Sequence, residues 1–533
     1  MSAGCAGMAW KMPGRGCFCA CQEMPMRPGR HGKILFVGID VGTTALKAAA
    51  FDGMTGSLAA QAQACLRVVC GQGGAREYPK GALTQAMEFA LCRLRTALGA
   101  RWLNVEGLGI AAQGGSGTVA DRKTGAEKMG MMLWNDSRSM VHLGQISSLR
   151  PPGFWQDKLM TAWVPWGLGR ILWLRKNRPE LFDPDRYVYA GAGELVFFHL
   201  TGTWRQDAGN AVQAGCYNAR SRALDGEIFG LAGAPLSFVA GLREGHQTAA
   251  LTHESARKYG LRPGIPVAGP YMDHEAGYMS SAGACDSPLQ VSLGTAWVGN
   301  YRMPAGAKWS SPSQLVLPSP VKTGWLVVQP LRTGNVSWDW ALDMFAGGRG
   351  RNGFAAAERI FSERLLPPPG VFILPWLTSP NRFAQGEQGG GLAVGLNPQT
   401  TAGDLLRAVA AGMCCEMARV FQAVRDAGVV DAVVLCGGAS KGRCFRTMLS
   451  ALFHPLPVLQ PNDPDLSGVR GSLHVFGIPA CPCRKLTRPS AAMVRCLRSY
   501  AAGYMRLFES LFSDDKDLAG IRIGRMPGRR NAS

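Results

Sequence analysis

The sequence predicts an α/β protein built from two halves of similar design. Its 533 residues are enough for about three domains, or two large ones. A hydrophobic fraction of 47% supports sizeable buried cores, and segments typical of strands and helices alternate along most of the chain. Two strand–turn–strand segments, one early and one in the middle of the chain, predict the repeated design.

The composition excludes several classes of protein. Lys and Arg outnumber Asp and Glu by 57 to 37, a net charge of +20, but they are scattered with no run of five or more. This favours attraction of small anionic substrates over nucleic-acid binding, with an ordinary basic protein as the alternative. No uncharged apolar run reaches about 18 residues, and the N-terminus lacks the pattern of a signal peptide. Most of the 16 cysteines stand singly among apolar residues, so we expect a reducing, cytoplasmic setting.

The two ends differ from the rest of the chain. Residues 1–32 are rich in Gly, Cys, Pro and Met without periodicity, and we expect a disordered extension. Metal binding by Cys17, Cys19 and Cys21 is an alternative, although their spacing is not that of a zinc site. Residues 511–533 form a basic tail, also expected to be disordered.

The first ordered element is a continuous apolar run, residues 34–40, that ends in Asp40 and is typical of a buried central strand. A tight turn and a second strand-like run, residues 45–51, follow, so the chain leaves the first strand by a hairpin. Neither a dinucleotide-binding glycine motif nor a P-loop occurs. The corner at Gly42, Thr43 and Thr44 can hold phosphate through backbone N–H groups and hydroxyls, and Asp40 can orient hydrated Mg²⁺.

Two later segments repeat this kind of turn. Residues 291–298 predict a second hairpin with Gly294 and Thr295 at its corner. Residues 432–436 predict a strand, followed by Gly437-Gly438 and an amphipathic helix with Ser440 as its N-cap. Paired glycines let a base or a phosphate approach the backbone. Each turn alone is more often an ordinary loop, but their order and spacing predict two halves that close on a nucleotide.

Together these segments resemble the FGGY carbohydrate kinases, in the superfamily of sugar kinases, actin and Hsp70-like ATPases. The resemblance runs from about residue 34 to residue 494 and rests on residues 38–48, 133–138, 170–177, 271–276, 293–295 and 437–440. It implies two ribonuclease-H-like α/β domains with an interdomain cleft, a sugar-binding domain at 33–268 and a nucleotide-binding domain at 269–510. The implied activity is ATP-dependent phosphorylation of a small sugar, ketose or polyol, with ATP and Mg²⁺.

The resemblance also assigns roles to residues. Asp273 is the expected general base for the sugar hydroxyl, with a helix N-cap before residues 276–284 as the alternative. Asp40 is the expected metal residue. The nucleotide is expected at Gly42, Thr43, Thr44, Lys47, Gly294, Thr295, Gly437 and Gly438. The sugar is expected at Gln113, Asp136, Arg138, Asp273 and His274, with Trp134, Trp338 and Trp340 as stacking or core residues.

Departures from the family pattern leave a second function open. Gly115 stands where the family often carries a charged or imidazole side chain, and Arg170 stands where Lys is usual. The first departure puts the usual pentulose substrates in doubt, and it is the best support for a catalytically inactive sugar or nucleotide sensor. The expected partners are a small sugar or polyol and ATP, with no nucleic acid and no membrane, and a homodimer is a possible assembly.

Overall fold

The computed structural model describes residues 34–161, 164–310, 315–377, 389–513 and 521–524. The predicted Cys/Gly-rich extension at 1–32 lies outside these residues, as does most of the basic tail. Among the described residues, no helix is long and apolar enough to cross a membrane.

The first third of the chain supplies most of one sheet and the helices that cover it. In chain order its elements are β1 (Leu35–Val41), β2 (Ala45–Asp52), β3 (Leu58–Cys65), β4 (Val69–Cys70), β5 (Arg76–Tyr78), α1 (Ala82–Leu98), β6 (Val105–Ala112), β7 (Thr118–Asp121), β8 (Met131–Met132), α2 (Leu143–Ser148), α3 (Pro152–Leu159) and α4 (Trp166–Asn177).

The middle of the chain completes that sheet and starts the second. Its elements are β9 (Tyr187–Ala190), α5 (Ala192–Thr201), β10 (Arg205–Gln206), α6 (Ala208–Ala214), β11 (Tyr217–Asn218), β12 (Ala223–Leu224), α7 (Gly226–Gly230), β13 (Gly241–Leu242), β14 (Ala249–Ala250), α8 (His253–Tyr259), β15 (Pro266–Met272), α9 (Asp273–Ser281), β16 (Pro288–Leu293) and β17 (Trp297–Met303).

The last part of the chain builds the rest of the second sheet and its helices. Its elements are β18 (Trp309–Ser310), β19 (Leu315–Pro318), β20 (Trp325–Pro330), α10 (Asn335–Phe345), α11 (Arg351–Glu363), β21 (Phe372–Leu374), β22 (Leu392–Val394), α12 (Ala402–Val420), α13 (Gln422–Asp426), β23 (Ala432–Cys436), α14 (Arg443–Leu452), β24 (Val458–Pro461), α15 (Ser467–Gly471), β25 (Cys483–Lys485), α16 (Ala491–Phe512) and β26 (Arg522–Ile523).

Two large sheets repeat one design. The first has the strand order β14-β15-β6-β1-β2-β3, and the second has the order β19-β20-β17-β16-β23-β24-β25. In the first, β2 runs antiparallel to both of its neighbours, β1 and β3, while β6 and β15 lie parallel to β1. In the second, β16, β17 and β20 are the antiparallel strands, while β23 and β24 lie parallel to β16. The predicted repetition of two similar halves is confirmed.

The predicted strands and hairpins are also present. The apolar run at 34–40 forms β1, in which the side chains of Leu35, Val37, Ile39 and Val41 are fully buried. β1 and β2 form the first antiparallel hairpin, and β16 and β17 form the second. The predicted strand at 432–436 is β23, with the same bounds. The expected domain boundary between residues 268 and 269 falls inside β15, and the domain bounds stay a prediction.

Three predictions of local structure are wrong. Ser440 is not the N-cap of the helix after β23, because residues 438–441 form a short 3₁₀ turn and Gly442 precedes α14. The helix expected at 276–284 spans Asp273–Ser281, so Asp273 is its first residue and Met272 is its N-cap. The predicted disorder of the tail fails at 521–524, where β26 pairs with β18.

A short helix from the second half brings the two halves together. α15 packs on α9 and on β1 and β6 of the first sheet. These approaches are so close that a Cβ at Gly471 would lie 1.7 Å from the Ala276 carbonyl oxygen, and one at Gly38 would lie 2.2 Å from the Val469 carbonyl oxygen. Both positions therefore require glycine, and α15 holds β1 and α9 in fixed relation.

Candidate active site

Asp40 is a carboxylate at the end of β1 with an unsatisfied oxygen. Its Oδ1 is buried and has no hydrogen-bond partner among the described residues. Burial, reinforced by the charge of Asp273 and opposed by Lys47, raises the pKa of Asp40 to about 7. Gly468 of α15 lies against the other oxygen, where a Cβ would be 2.4 Å from Oδ2. An orphaned buried carboxylate oxygen fits a bound cation, and the predicted metal residue therefore has suitable chemistry.

The surroundings of Asp40 suit a cation held mainly by water and phosphate. Among the described residues, no group of three or more His, Cys, Asp or Glu side chains is placed to hold a metal ion. Mg²⁺ commonly keeps several waters and takes only one or two carboxylates, so one carboxylate is consistent with it. Lys47 faces Asp40 across the hairpin, and its Nζ donates to the Asp465 carbonyl oxygen at 2.8 Å.

The first corner is tied to the residues expected to bind the sugar. Trp134 Nε1 donates to Thr43 Oγ1 at 3.0 Å, and Thr43 Oγ1 donates to Gln113 Oε1 at 3.2 Å. Gln113 Nε2 donates to the Tyr78 hydroxyl at 2.7 Å, which in turn donates to the Thr43 carbonyl oxygen at 2.7 Å. This ring of three residues, with Trp134 bonded to it, fixes the corner, and the hydroxyl of Thr43 takes part in it. Thr44 is exposed, and Tyr78 is a contributor that the sequence analysis missed.

The second corner and the glycine pair lie side by side. The Asn335 N–H donates to the Gly294 carbonyl oxygen at 3.1 Å, and Thr295 is exposed. Gly437 has φ of 85°, a conformation that favours glycine, and a Cβ there would lie 2.8 Å from the Leu293 carbonyl oxygen. The turn at Gly437 and Gly438 therefore packs directly on the end of β16. The structure brings these predicted nucleotide residues together at one edge of the second sheet.

Asp273 is the first residue of α9 and follows β15 directly. Its side chain keeps 34% of its surface accessible, and its Oδ1 accepts the His274 N–H at 2.9 Å. Burial raises the pKa of Asp273, an effect that His274 opposes and Asp207 reinforces. Asp40 of β1 and Tyr271 of β15 both pair with Ala111 of β6, so Asp273 lies at the same end of the sheet as Asp40, and its charge raises the pKa of Asp40. Asp273 is a helical residue and not the N-cap that the alternative reading required.

Asp207 holds the backbone just before Asp273. This carboxylate is fully buried, accepts the Met272 N–H through Oδ2, and accepts the Asn210 N–H through Oδ1 at 2.7 Å. It is also the N-cap of α6. Asp207 therefore fixes the position from which the carboxylate of Asp273 projects. The sequence analysis missed it, although an Asp before a short helix of small residues was a usable signal.

His274 contacts the second sheet. Its Nδ1 lies 3.4 Å from Asn300 Nδ2, and Asn300 Nδ2 donates to Gln290 Oε1 on the neighbouring strand. Asn300 is fully buried, and its Oδ1 has no partner among the described residues. His274 thus sits where β16 and β17 of the second half meet α9.

Asp136 and Arg138 bind each other. Arg138 Nε donates to Asp136 Oδ1 at 3.0 Å, and the Arg76 N–H donates to Asp136 Oδ2 at 2.8 Å. The guanidinium of Arg138 also pairs with Glu77 and stacks over the ring of Trp173 at 4.8 Å. These contacts give both side chains a structural partner, and their expected role in sugar binding stays a prediction.

Gln213 occupies the space beside Gly115, the position that departs from the family pattern, and its neighbour Gly114. A Cβ at Gly115 would lie 2.2 Å from Gln213 Oε1, and one at Gly114 would lie 2.2 Å from Gln213 Nε2. Gln213 Nε2 also lies 3.1 Å from Met272 Sδ, next to Asp273. A polar amide from α6 therefore stands where a side chain at 115 would project. Sequence reasoning could not find it, because almost 100 residues separate the two positions.

Comparisons with known proteins agree with this arrangement. Two family models match, the FGGY family of carbohydrate kinases, N-terminal domain, at residues 35–280, and the C-terminal domain at residues 307–476. The xylulose kinase of Escherichia coli (strain K12) is 24% identical over 427 residues, which cover 78% of this chain and 84% of that protein.

Solved structures show the same fold. Xylulose kinase from Rhodospirillum rubrum has a TM-score of 0.75 at 18% identity, covering 90% of this chain and 99% of that one. Gluconate kinase from Lactobacillus acidophilus has a TM-score of 0.74 at 16% identity, covering 92% and 100%. The predicted fold class, two α/β domains of the sugar-kinase type, is confirmed.

Proposed function

This chain belongs to the FGGY family of carbohydrate kinases and is a sugar kinase, and we propose that it transfers the γ-phosphoryl group of ATP to a hydroxyl of a small sugar, ketose or polyol with Asp273 as general base. The observation that carries the proposal is the pair Asp40 and Asp273. Asp40 lies at the end of β1 and Asp273 directly follows β15, and both strands pair with Ala111 and Ala112 of β6, so the two carboxylates lie at the same end of the first sheet. Both have raised pKa values, and the charge of Asp273 acts on Asp40.

Asp273 has the properties of a proton acceptor. Its carboxylate is partly accessible, and its backbone is held by Asp207 through Met272. As the sugar hydroxyl oxygen attacks the γ-phosphorus, Asp273 takes the hydroxyl proton, and ADP leaves with the bridging oxygen. General base catalysis of this kind contributes roughly 10²–10⁴ in rate. A raised pKa brings the carboxyl closer to the operating pH, which favours proton transfer.

The two hairpin corners and the glycine pair are proposed to bind the nucleotide. Backbone N–H groups near Gly42 and Gly294 face the phosphates, and Gly437 with Gly438 faces the adenosine. Asp40 would hold hydrated Mg²⁺, which would supply positive charge to the phosphate oxygens. Lys47, beside Asp40, adds a second positive charge at the same corner.

The sugar-binding pocket is proposed to lie between the first corner and Gln213. Gln113 is fixed by Thr43 and Tyr78, and Trp134 is fixed by Thr43. Gln213 replaces an ionisable group with a neutral amide, so the pocket selects by hydrogen bonding and not by charge. Because curated relatives include xylulose kinases, pentuloses head the panel of substrates to test.

A substrate panel tests this proposal directly. The full chain is incubated with Mg-ATP and, in turn, pentuloses, hexuloses, polyols and gluconate, and ADP release is measured. We expect ADP release that requires both Mg²⁺ and one class of sugar. Calorimetry in parallel separates the alternatives, because sugar binding without ADP release would overturn the kinase proposal in favour of the sensor.

A further inference from the structure

A cavity of about 530 Å³ lies in the second half, between α14 and the segment around β25. One wall is a face of α14, and the other is formed by β25, the segment that follows it and the start of α16. We call it the arginine pocket. It is lined by Arg443, Arg446, Thr447, Ser450, Arg484, Lys485, Leu486, Thr487, Arg488, Pro489, Ser490 and Met493.

The charge of the arginine pocket is entirely positive. Five of its lining residues are Arg or Lys, and none is Asp or Glu. Among the residues that the structure describes, none of these five forms an ion pair with a carboxylate, whereas Arg364, Arg407 and Arg419 of the same half all do. Five crowded cations create a local field that attracts anions, and the nearby carboxylate of Glu358, which opposes the lowering of the Arg446 pKa, offsets only part of it.

Two of the guanidinium groups share one neutral acceptor. Arg484 Nε donates to Gln460 Oε1 at 3.1 Å, and Arg446 Nη1 donates to the same oxygen at 3.4 Å. Burial and the charge of Arg484 lower the pKa of Arg446. An anion in the pocket would relieve this repulsion, because it would supply the negative charge that a glutamine cannot.

The side chain of Gln460 is held by a hydrogen bond to the turn that precedes α14. Its side chain is 2% exposed, and its Nε2 donates to the Ser440 carbonyl oxygen at 2.6 Å. With the amide nitrogen occupied on that side, the amide oxygen faces the two arginines. Arg446 and Arg484 are thereby held in place before any ligand arrives, and this preorganisation lowers the cost of binding.

The arginine pocket adjoins the turn assigned to adenosine, since Arg443 begins α14 just after residues 438–441 and Gln460 bonds to Ser440, but it has its own lining. None of the residues assigned to ATP, Mg²⁺ or sugar lines it. The turns at Gly294 and Gly437 lie at the carboxyl ends of the parallel strands β16 and β23, and α14 leads away from that edge to Ser450. β25 runs antiparallel to β24, so the segment after it also reaches the opposite edge of the sheet.

We propose that the arginine pocket binds a small anion with two or more phosphate groups. Its volume lies within the range of about 300–1,000 Å³ typical of small-molecule sites, and its concave shape favours a compact ligand over an extended polymer. Arginine forks match phosphate oxygens in pairs, and the hydroxyls of Ser450 and Ser490 add donors for the remaining oxygens. This proposal does not depend on the identity of the sugar or on the kinase mechanism.

Calorimetric titration of the full chain with inorganic pyrophosphate tests the proposal. We expect one binding event that weakens with added salt. The double variant Arg446→Ala/Arg484→Ala should weaken pyrophosphate binding at least about tenfold while Mg-ADP binding stays within about twofold. Gln460→Glu should weaken it similarly, because an internal carboxylate would compete for the same arginines. Arg257→Ala, an exposed arginine of the first half, is the matched control and should bind as the parent does.

Several outcomes would overturn the proposal. They are no pyrophosphate binding by the parent chain, unchanged binding by the double variant, or an equal loss of Mg-ADP and pyrophosphate binding. Binding of a single-stranded oligonucleotide through these arginines, without pyrophosphate binding, would replace the small anion with nucleic acid. Thermal melting of each variant establishes that it is folded, and Arg446→Lys/Arg484→Lys, which keeps the charge but loses the forks, should show intermediate affinity.

Discussion

Some buried carboxylate oxygens of the first half have no hydrogen-bond partner among the described residues, in contrast to the ion-paired Asp404 and Glu416 of the second half. In the second half, Asp404 pairs with Arg407 at 3.1 Å and Glu416 pairs with Arg419 at 2.6 Å, so each has a counter-charge. In the first half, Asp136 is paired with Arg138 at 2.7 Å, whereas Glu194 is buried and Asp40 is half-buried, each with one buried oxygen that has no partner among the described residues. Both have pKa values raised by burial and by a neighbouring carboxylate, Asp40 to about 7 and Glu194 to about 8.

The difference separates stability from function. A paired buried carboxylate supports the fold, because removing it would take that counter-charge away from a buried arginine. An unpaired one is costly and persists where a reaction uses its charge. The two hairpin corners also differ in charge. The first lies between Asp40 and Lys47, whereas the second, at Gly294 and Thr295, carries no charge.

The largest expected contrast is in stability. Glu416→Gln should lower the free energy of unfolding by roughly 3–5 kcal/mol, because it breaks a buried ion pair. Glu194→Gln should raise it by roughly 2–4 kcal/mol at pH 9, because the parent loses a proton that the folded state prefers to keep. The folded pKa of Glu194 is about 8 and its ordinary value is 4.5, so stability falls as pH rises between them. Denaturant unfolding at pH 9 and at about pH 4.5 measures both effects.

At the lower pH the parent and Glu194→Gln should unfold alike, since the carboxyl is then largely protonated in the folded state and half protonated in the unfolded state. A Glu194→Gln chain that is less stable than the parent at pH 9 would contradict the unpaired state of this carboxyl.

The two corners should differ next most strongly. Asp40→Asn should lower kcat by about 10²–10³, because it removes the charge proposed to hold Mg²⁺. Thr295→Val should change activity only roughly five- to tenfold, mostly in the KM for ATP, because it removes one exposed hydroxyl. Steady-state ADP release with varied ATP measures both variants. An equal loss of activity in the two variants would mean that both corners contribute in the same way, and it would contradict a special role for the charge of Asp40.

Gly468→Ala tests the position of Asp40 without changing its charge. The new Cβ would lie 2.4 Å from Asp40 Oδ2 and would displace the carboxylate. We expect a loss of about 10² in kcat, the scale of a displacement near 1 Å in an active site. Gly144→Ala in α2 is the matched control, because nothing lies within 4 Å of its Cβ. Full activity of Gly468→Ala in a folded chain would show that the carboxylate position is not critical.

Gln213→Ala should have the smallest effect. We expect the KM for the sugar to rise roughly three- to tenfold with little change in kcat, because one hydrogen-bonding group beside Gly115 is lost. Kinetics with the best sugar of the panel measures this. A change in kcat with an unchanged KM would place Gln213 outside the sugar pocket.

The sequence predicted the elements whose signals are local. The apolar run that ends at Asp40, the glycine corners and the strand before Gly437 are visible in short windows, and all are present. The prediction that Ser440 is an N-cap is wrong because the chain makes a 3₁₀ turn before α14. Residue preferences alone do not distinguish such a turn from a helix cap.

The parts that could not be predicted depend on contacts between distant segments. Asp207 reaches Met272, Gly468 reaches Asp40, and Gln213 reaches Gly115, across tens to hundreds of residues. No periodicity or spacing encodes such contacts, because the fold itself brings the residues together.

The activity of the Asp273→Asn variant tests the central claim most directly. The substitution keeps the shape of the side chain and removes its ability to accept a proton. ADP release at saturating sugar and Mg-ATP should fall by roughly 10²–10⁴, while calorimetry should give sugar and ADP affinities within about threefold of the parent. Turnover at the parental rate in this variant would contradict the assignment of Asp273 as the base.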